Sequence, residues 1–532
     1  MSDAPFDADV LVVGAGPTGL MLANQLARRG VRAVIIDRHA GPARETRALG
    51  VQARTLEIYG HLGIAPAALA AGRIATGANI WAEGRHMARV KLGDAGRGVT
   101  PYPYILILGQ DDNERLMGER LRDLGVEVRW NTELTAMTEH PDGVEATIAT
   151  PEGPRTLRVR WVGGCDGAHS VVRHLTGITF PGAPYEQVFF VADADVTGTM
   201  VADEVNVYLW RTGFHLFFPM RGQDHWRLVG ILPAGLRDRD DVRFDDVVPS
   251  LRHEAGDELV FHRCSWFSTY RIHHRAAARF RSGRCFLLGD AAHIHSPVGA
   301  QGMNTGLQDA YNLAWKLAGV VRTGADARLL DSYEAERLPV ARRLLETTDR
   351  AFRLVVASNA LAGLVRTQLI ARIAAFGMSR RSIQAAAFRM VSQTGIHYRA
   401  GPLSRTRGDM PAGAPRAGDR FPWLRVARAD GSLLDSLATL DDRRFQLLVF
   451  GSGHTGDPGV ALDIEVTTIA TDGANAAELA RAHVPSPSFY LLRPDGHVGL
   501  CGLGEVDAAA VRAYALEALG MPASRSEAAG LQ

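Results

Sequence analysis

The chain is 532 residues long, 46% hydrophobic and 22% charged, a size that exceeds one hydrophobic core and predicts roughly two to four domains. Its 59 basic and 58 acidic residues leave a formal net charge of +1, so charge gives no reason to expect nucleic acid or an anionic membrane as partner. Four scattered cysteines without a CxxC, an acidic start (MSDAPFDAD) and no apolar run of membrane-spanning length point to a cytoplasmic enzyme, not to a disulfide scaffold or zinc knot.

The apolar run from Asp9 to Val13 predicts a strand, followed by glycines and a helical pattern to Arg29. A second apolar run from Ala33 to Ile36 completes a βαβ unit. Residues 113 to 124 predict a further helix, and Val126 to Trp130 the strand after it. From about 186 to 280 apolar and polar residues alternate, which predicts a mostly antiparallel sheet inserted between two α/β parts. Arg284 to Leu288 returns to the buried-strand pattern. Leu307, Tyr311, Ala314, Leu317 and Ala318 then keep helical spacing, with helices expected to about 395. The Pro- and Gly-rich stretch 401–422 reads as a linker, and 423–532 as a small α/β domain with a Pro494-Asp495-Gly496 turn between two strands.

Gly14-Ala15-Gly16-Pro17-Thr18-Gly19 is a GxGxxG between strand and helix, and Asp37 ends the next strand 18 residues past Gly19. That context suits a dinucleotide: glycines allow the tight turn and close approach, the helix start attracts a diphosphate, and the acid accepts from ribose hydroxyls. A second GxGxxG, Gly451 to Gly456, is followed by Asp457-Pro458-Gly459 and a strand by about Ile464, which leaves no room for a crossover helix; it reads as a loop. His293 and His295 form a His-x-His pair, yet no third ligand accompanies them, so no metal is expected. Ser170 and Ser296 lie outside any G-x-S-x-G. In the alternating region Tyr208, Trp210, Phe217 and Tyr270 are substrate-pocket candidates, weighed against plain sheet core.

Three segments occur in order: GAGPTG, CDGAHSVVR at 165–173, and RCFLLGDAAHIHSPVGAQGMNTGLQDAYNLAWKLAG at 284–319. Together they resemble the signatures of the group A flavoprotein monooxygenases, the FAD-dependent aromatic hydroxylases. RALGVQARTLEIYGHLG at 47–63 and the Gln110 segment resemble that family too, most closely the phenol, hydroxyphenylpropionate and aromatic polyketide hydroxylases that carry a C-terminal thioredoxin-like domain. The resemblance implies an α/β fold with a Rossmann-like FAD-binding domain over 1–180 and 281–400, an inserted β-sheet substrate domain over 181–280, a linker over 401–422 and a thioredoxin-like domain over 423–532.

It also implies that Gly14, Gly16, Pro17, Thr18 and Gly19 hold the FAD diphosphate, Asp37 the adenosine ribose and Arg38 the adenine side. Arg47 and Gln110 would contact the cofactor between its phosphates and ribityl chain, Asp290 the ribityl or diphosphate end, and Asp166 both FAD and NAD(P)H. Pro297, Gly299, Gly302, Met303 and Asn304 would lie beside the isoalloxazine, with Pro297 and Gly302 shaping the oxygen's surroundings. The implied activity hydroxylates a phenolic ring with NADPH or NADH and O2 through a C4a-hydroperoxyflavin. Baeyer–Villiger or epoxidising oxygenation, antibiotic inactivation, and a non-catalytic flavoprotein remain as alternatives. Expected partners are a small aromatic substrate, no nucleic acid and no membrane, with a homodimer as the candidate assembly.

Overall fold

Six consecutive buried residues make Ala8–Val13 the centre of the first sheet, because both of its faces are covered. In the computed structural model, which describes residues 5–523 apart from 44–47, 211–212, 295–300, 357–379, 429 and 452–461, this strand pairs in parallel with Ala33–Ile36 and Gly153–Gly164. The sheet runs Arg281–Ser282, Cys285–Leu287, Gly153–Gly164, Ala8–Val13, Ala33–Ile36, Val128–Arg129, with Glu133–Glu139 and Val144–Thr150 attached antiparallel. Helix α1 (Pro17–Arg28) starts at proline and buries Leu20, Met21, Leu22, Ala23 and Leu26. Helices α2 (Ala53–Leu62) and α3 (Gln110–Asp123) complete this core with Leu56, Ile58, Tyr59, Leu116 and Met117.

The second sheet also has eight strands: His293–Ile294, Val260–Ala276, Gly182–Thr197, His225–Ile231, Phe214–Pro219, Val205–Leu209, Gly77–Ala82 and Arg85–Lys91. The last two lie far outside 181–280. Gly77–Ala82 joins by parallel pairing with Val205–Leu209, so the inserted sheet is completed by a hairpin from the N-terminal part. Helix α4 (Phe244–Ala255) covers one face, where Phe244, Val247 and Leu251 pack on Phe190, Tyr208, Phe217 and Leu228. Strand periodicity sends Val207, Leu216, Phe218 and Tyr270 to the other face.

The long helix α5 (Gly302–Arg322) lies along α1, followed by α6 (Asp331–Val356) and α7 (Arg381–Val391). The stretch 401–422 departs from a free linker. Arg405–Arg407 pairs in parallel with Val498–Leu503, and Leu403, Met410, Ala414, Ala417 and Phe421 are buried. Its prolines and glycines set turns between these anchors, so composition alone does not distinguish it from a tether. The C-terminal sheet runs Arg405–Arg407, Val498–Leu503, Ser488–Leu492, Phe445–Phe450, Ile464–Ile469.

This C-terminal unit docks on α5 and α6 through buried charge. Glu336 accepts from Arg493 Nη1 at 2.6 Å and from Lys316 Nζ at 2.8 Å, and Asp495 accepts from Trp315 Nε1 at 3.1 Å and Arg493 Nε at 3.1 Å. The two acids and two bases cancel, and all four side chains are at most 2% exposed, the condition under which buried ion pairs are tolerated. Among the described residues, no helix is long and apolar enough to cross a membrane.

Candidate active site

The glycine turn joins the first strand to α1. Gly14 sits at φ +100°, and a Cβ there would lie 2.4 Å from the Cys165 carbonyl oxygen. One at Gly19 would lie 1.9 Å from the Gly14 oxygen, so both positions are closed by backbone packing. Gly16 differs: a Cβ there meets nothing within 4 Å, which leaves its side of the turn open to a ligand. No side chain caps α1 and no acid lies in its first turn, so its N–H groups and dipole face outward uncompensated. Asp37 Oδ2 accepts from Ala15 N–H at 2.7 Å and Oδ1 from His39 N–H at 2.8 Å, which fixes the carboxylate beside the turn. Arg38 next to it is exposed. Thr18 Oγ1 fills the space that a Cβ on Gly289 or Gly306 would need, at 2.6 and 2.4 Å, so this side chain locks α1 against α5. Arg47 lies outside the described residues.

Asp166 follows the strand next to the turn. Its Oδ2 accepts from Val171 N–H at 2.7 Å and Val172 N–H at 3.1 Å, holding the short helix Val171–Leu175, while its buried Oδ1 has no hydrogen-bond partner among the described residues. Burial pushes this carboxyl above the usual range. Gln110 opens α3 and donates to Glu114 Oε1 at 2.8 Å; Glu114 Oε2 accepts from Ala43 N–H at 3.0 Å. Burial raises the Glu114 carboxyl as well. Sequence reading missed Glu114; its one signal was the i,i+4 spacing from Gln110. Asp290 is exposed in the single turn Gly289–Ala291.

The side chain of Gln301, the residue before α5 starts at Gly302, makes no capping bond to the helix. Met303 Sδ accepts from Asn113 Nδ2 at 3.3 Å. Asn304 turns inward: Oδ1 accepts from Gln52 N–H at 2.9 Å and Thr55 Oγ1 at 2.7 Å, and Nδ2 donates to Gly50 O at 2.8 Å. Its carboxamide thus ties the start of α5 to the 50–55 segment. His293 Nε2 lies 2.7 Å from Asp309 Oδ2, and Arg337 Nε donates to Asp309 Oδ1 at 2.6 Å. Burial opposes charge on Asp309, yet Arg337 and His293 together hold its carboxyl below the usual range. The same Oδ2 accepts from Gly289 N–H at 3.1 Å, so His293 belongs to a buried brace for this loop. Among the described residues no group of three or more metal-ligating side chains occurs. Pro297, Gly299 and His295 lie outside them.

A family described as an FAD binding domain matches residues 7–348. The 6-methylpretetramide 4-monooxygenase of Streptomyces rimosus is 36% identical over 524 residues, spanning 94% of this chain and 92% of that one. This chain belongs to the FAD-dependent aromatic monooxygenases. Among solved members, the OxyS anhydrotetracycline hydroxylase from Streptomyces rimosus superposes with TM-score 0.77 at 29% identity, covering 97% of this chain and all of that one. Aklavinone-11 hydroxylase, solved in a ternary complex with FAD and aklavinone, gives TM-score 0.79 at 26% identity over 97% of this chain and 100% of its own.

The two faces of the second sheet differ, because α4 covers one of them. Tyr208 stacks on Trp81 at 5.6 Å and packs on Phe217 at 5.0 Å in the core under α4, and Trp210 meets His253 of α4 edge-on at 5.2 Å. These three pocket candidates therefore sit on the covered face; single-residue reading of an alternating strand cannot tell its two sides apart. Tyr270 lies on the other face against Phe189, and burial pushes its hydroxyl up to about 12. On that side Val207, Phe218 and Met220 adjoin Leu49 and Ile107 of the FAD-binding part. Leu49 precedes the Gly50 that Asn304 holds, so this apolar wall adjoins the start of α5.

Proposed function

We propose that this monooxygenase hydroxylates a polycyclic aromatic polyketide, using NAD(P)H and O2. The observation that carries the reading is the partly buried apolar face of Ile80, Val207, Leu216, Phe218 and Tyr270, which adjoins the segment held by the start of α5. Its breadth over four strands suits a flat multi-ring substrate, and relatives along nearly the full chain are named 6-methylpretetramide 4-monooxygenase and 12-dehydrotetracycline 5-monooxygenase/anhydrotetracycline 6-monooxygenase. A cavity of about 290 Å3 between Ile107, Gly109, Met220, Arg227 and Trp266 borders this wall.

The residues present fit FAD. The open side of Gly16 and the uncapped start of α1 would receive the diphosphate, Asp37 the adenosine ribose, and Gln110, Asp166 and Asp290 the middle of the cofactor. Bound there, the flavin supplies two-electron reduction and oxygen activation. The chain positions the ring of the substrate on the apolar wall, keeps water out, and aims the N-terminal dipole of α5 at charge that develops on the flavin. With the division at 181–280 extended by the 77–91 hairpin, the remaining unit reads as thioredoxin-like: a parallel pair, Phe445–Phe450 with Ile464–Ile469, beside an antiparallel pair, Ser488–Leu492 with Val498–Leu503. Its only cysteine is Cys501, buried and with a thiol raised by burial, so docking and not dithiol chemistry is its role.

Purified holoprotein should show NAD(P)H oxidation stimulated by polycyclic phenols and quinones, with product one oxygen atom heavier by mass spectrometry. Stimulation only by single-ring phenols would refute the substrate class, and no stimulation by either would refute the activity.

A further inference from the structure

The start of α5 faces a conflicting demand. To present N–H groups to a ligand it must stay uncapped from the front, yet an uncapped helix start frays. Support therefore has to come from the side. It comes from a chain of three buried carboxamides: Gln308 Nε2 donates to Gln393 Oε1 at 2.5 Å, Gln393 Nε2 to Gln301 Oε1 at 2.5 Å, and Gln301 Nε2 to Val391 O at 2.9 Å. Gln393 Nε2 also lies 2.9 Å from Thr305 Oγ1. Donor and acceptor of Gln393 are both used, so each bond polarises the next.

Gln393 is itself unusual. It is 3% exposed and sits at φ +59°, a left-handed conformation that costs a residue with a Cβ and that glycine would adopt freely. A turn that served only to end α7 would favour glycine there. The neighbouring Ser392 carbonyl accepts from Arg54 N–H at 3.2 Å, and Arg54 Nη2 donates to the Asp495 carbonyl at 2.6 Å. Residues 392 and 393, where the chain passes towards the C-terminal unit, thus grip both α2 and α5, the two helices that Asn304 ties together.

We propose that Gln393 is a positioning residue that holds the first two turns of α5 for the flavin, so that docking of the C-terminal unit is felt at the cofactor's reactive edge. This rests on the reading that α5 starts at the isoalloxazine. The decisive variant is Gln393→Gly in the full-length FAD-bound protein, since it relieves the backbone while removing the side chain. Thermal stability should fall by only a few degrees, because relief of the left-handed backbone offsets part of the hydrogen bonds lost, while amide exchange of a peptide covering 302–305 speeds up on the order of tenfold. The midpoint potential of the bound flavin, from dithionite titration against a reference dye, should fall, because a looser dipole stabilises reduced flavin less.

Unchanged exchange and potential at unchanged stability would overturn the proposal. If Gln393→Gly fails to fold, Gln308→Leu, which removes the donor to Gln393 together with a long 3.4 Å bond to the Asn304 carbonyl, carries the same readouts; failure of both to fold would also overturn it, by making the cluster a determinant of folding. Neither readout needs turnover. A shifted potential in Gln393→Gly beside a wild type without substrate-stimulated oxidation would therefore refute the proposed activity alone.

Discussion

Gly16→Ala separates a ligand-binding turn from a merely well-packed one. Gly16 sits at φ −70° and ψ −178°, extended backbone that alanine adopts without strain, and its Cβ would meet nothing within 4 Å. The cost to the cofactor-free fold is therefore small, a few tenths to about 1 kcal/mol for alanine in place of glycine at a helix N-cap. The methyl projects where a diphosphate oxygen must come within hydrogen-bond reach of the turn's N–H groups. Each hydrogen bond to a charged group is worth roughly 1.5–3 kcal/mol, so losing one weakens FAD by between about tenfold and a few hundredfold. Titration of apoprotein with FAD, read by flavin fluorescence, gives the affinity, and apoprotein melting gives the control. FAD affinity within about twofold of wild type, at unchanged melting temperature, would refute the reasoning. The contrast is Gly19→Ala, whose Cβ would sit 1.9 Å from the Gly14 oxygen and must damage the fold itself.

Phe217→Ala empties the core under α4 and should cost about 3–5 kcal/mol in denaturant unfolding. Leu216→Ala, one residue along on the open face, should barely change stability but raise KM for the aromatic substrate. Asp309→Asn leaves Arg337 and His293 buried around a neutral group and should lower apoprotein stability by about 3–5 kcal/mol, read by thermal or urea denaturation. Lys316 is fully buried, and desolvation lowers its ammonium from 10.5 to about 8 against the pull of Glu336. Between those two pH values the unfolded chain binds the extra proton, so this group makes stability rise with pH from about 8 to 10.5. In Lys316→Met that part of the rise, followed by urea unfolding across the window, should vanish.

The structure of the glycine turn was legible because it is local. Gly14 to Gly19, the preceding strand and Asp37 lie within one βαβ unit, so spacing along the chain already stands for spacing in space. The same holds for the strand at Ala8–Val13, whose continuous apolar run means burial on both faces. Which face of the second sheet is covered was not legible. Alternation announces that residues 205 to 218 have two faces, but which is covered depends on α4 and on the 77–91 hairpin, and neither is written into the alternating stretch.

Nor could the sequence show the partners of the Asn304 carboxamide, since Gly50, which accepts from it, lies 254 residues away in the chain. Gln393 carried no motif at all; its partner Gln301 lies 92 residues away in the chain. Local backbone chemistry and hydrophobic periodicity are properties of short segments and survive as pattern. Which side of an element is covered, and which polar side chain is already spent on another, are set by pairings between distant segments and exist only in the folded chain.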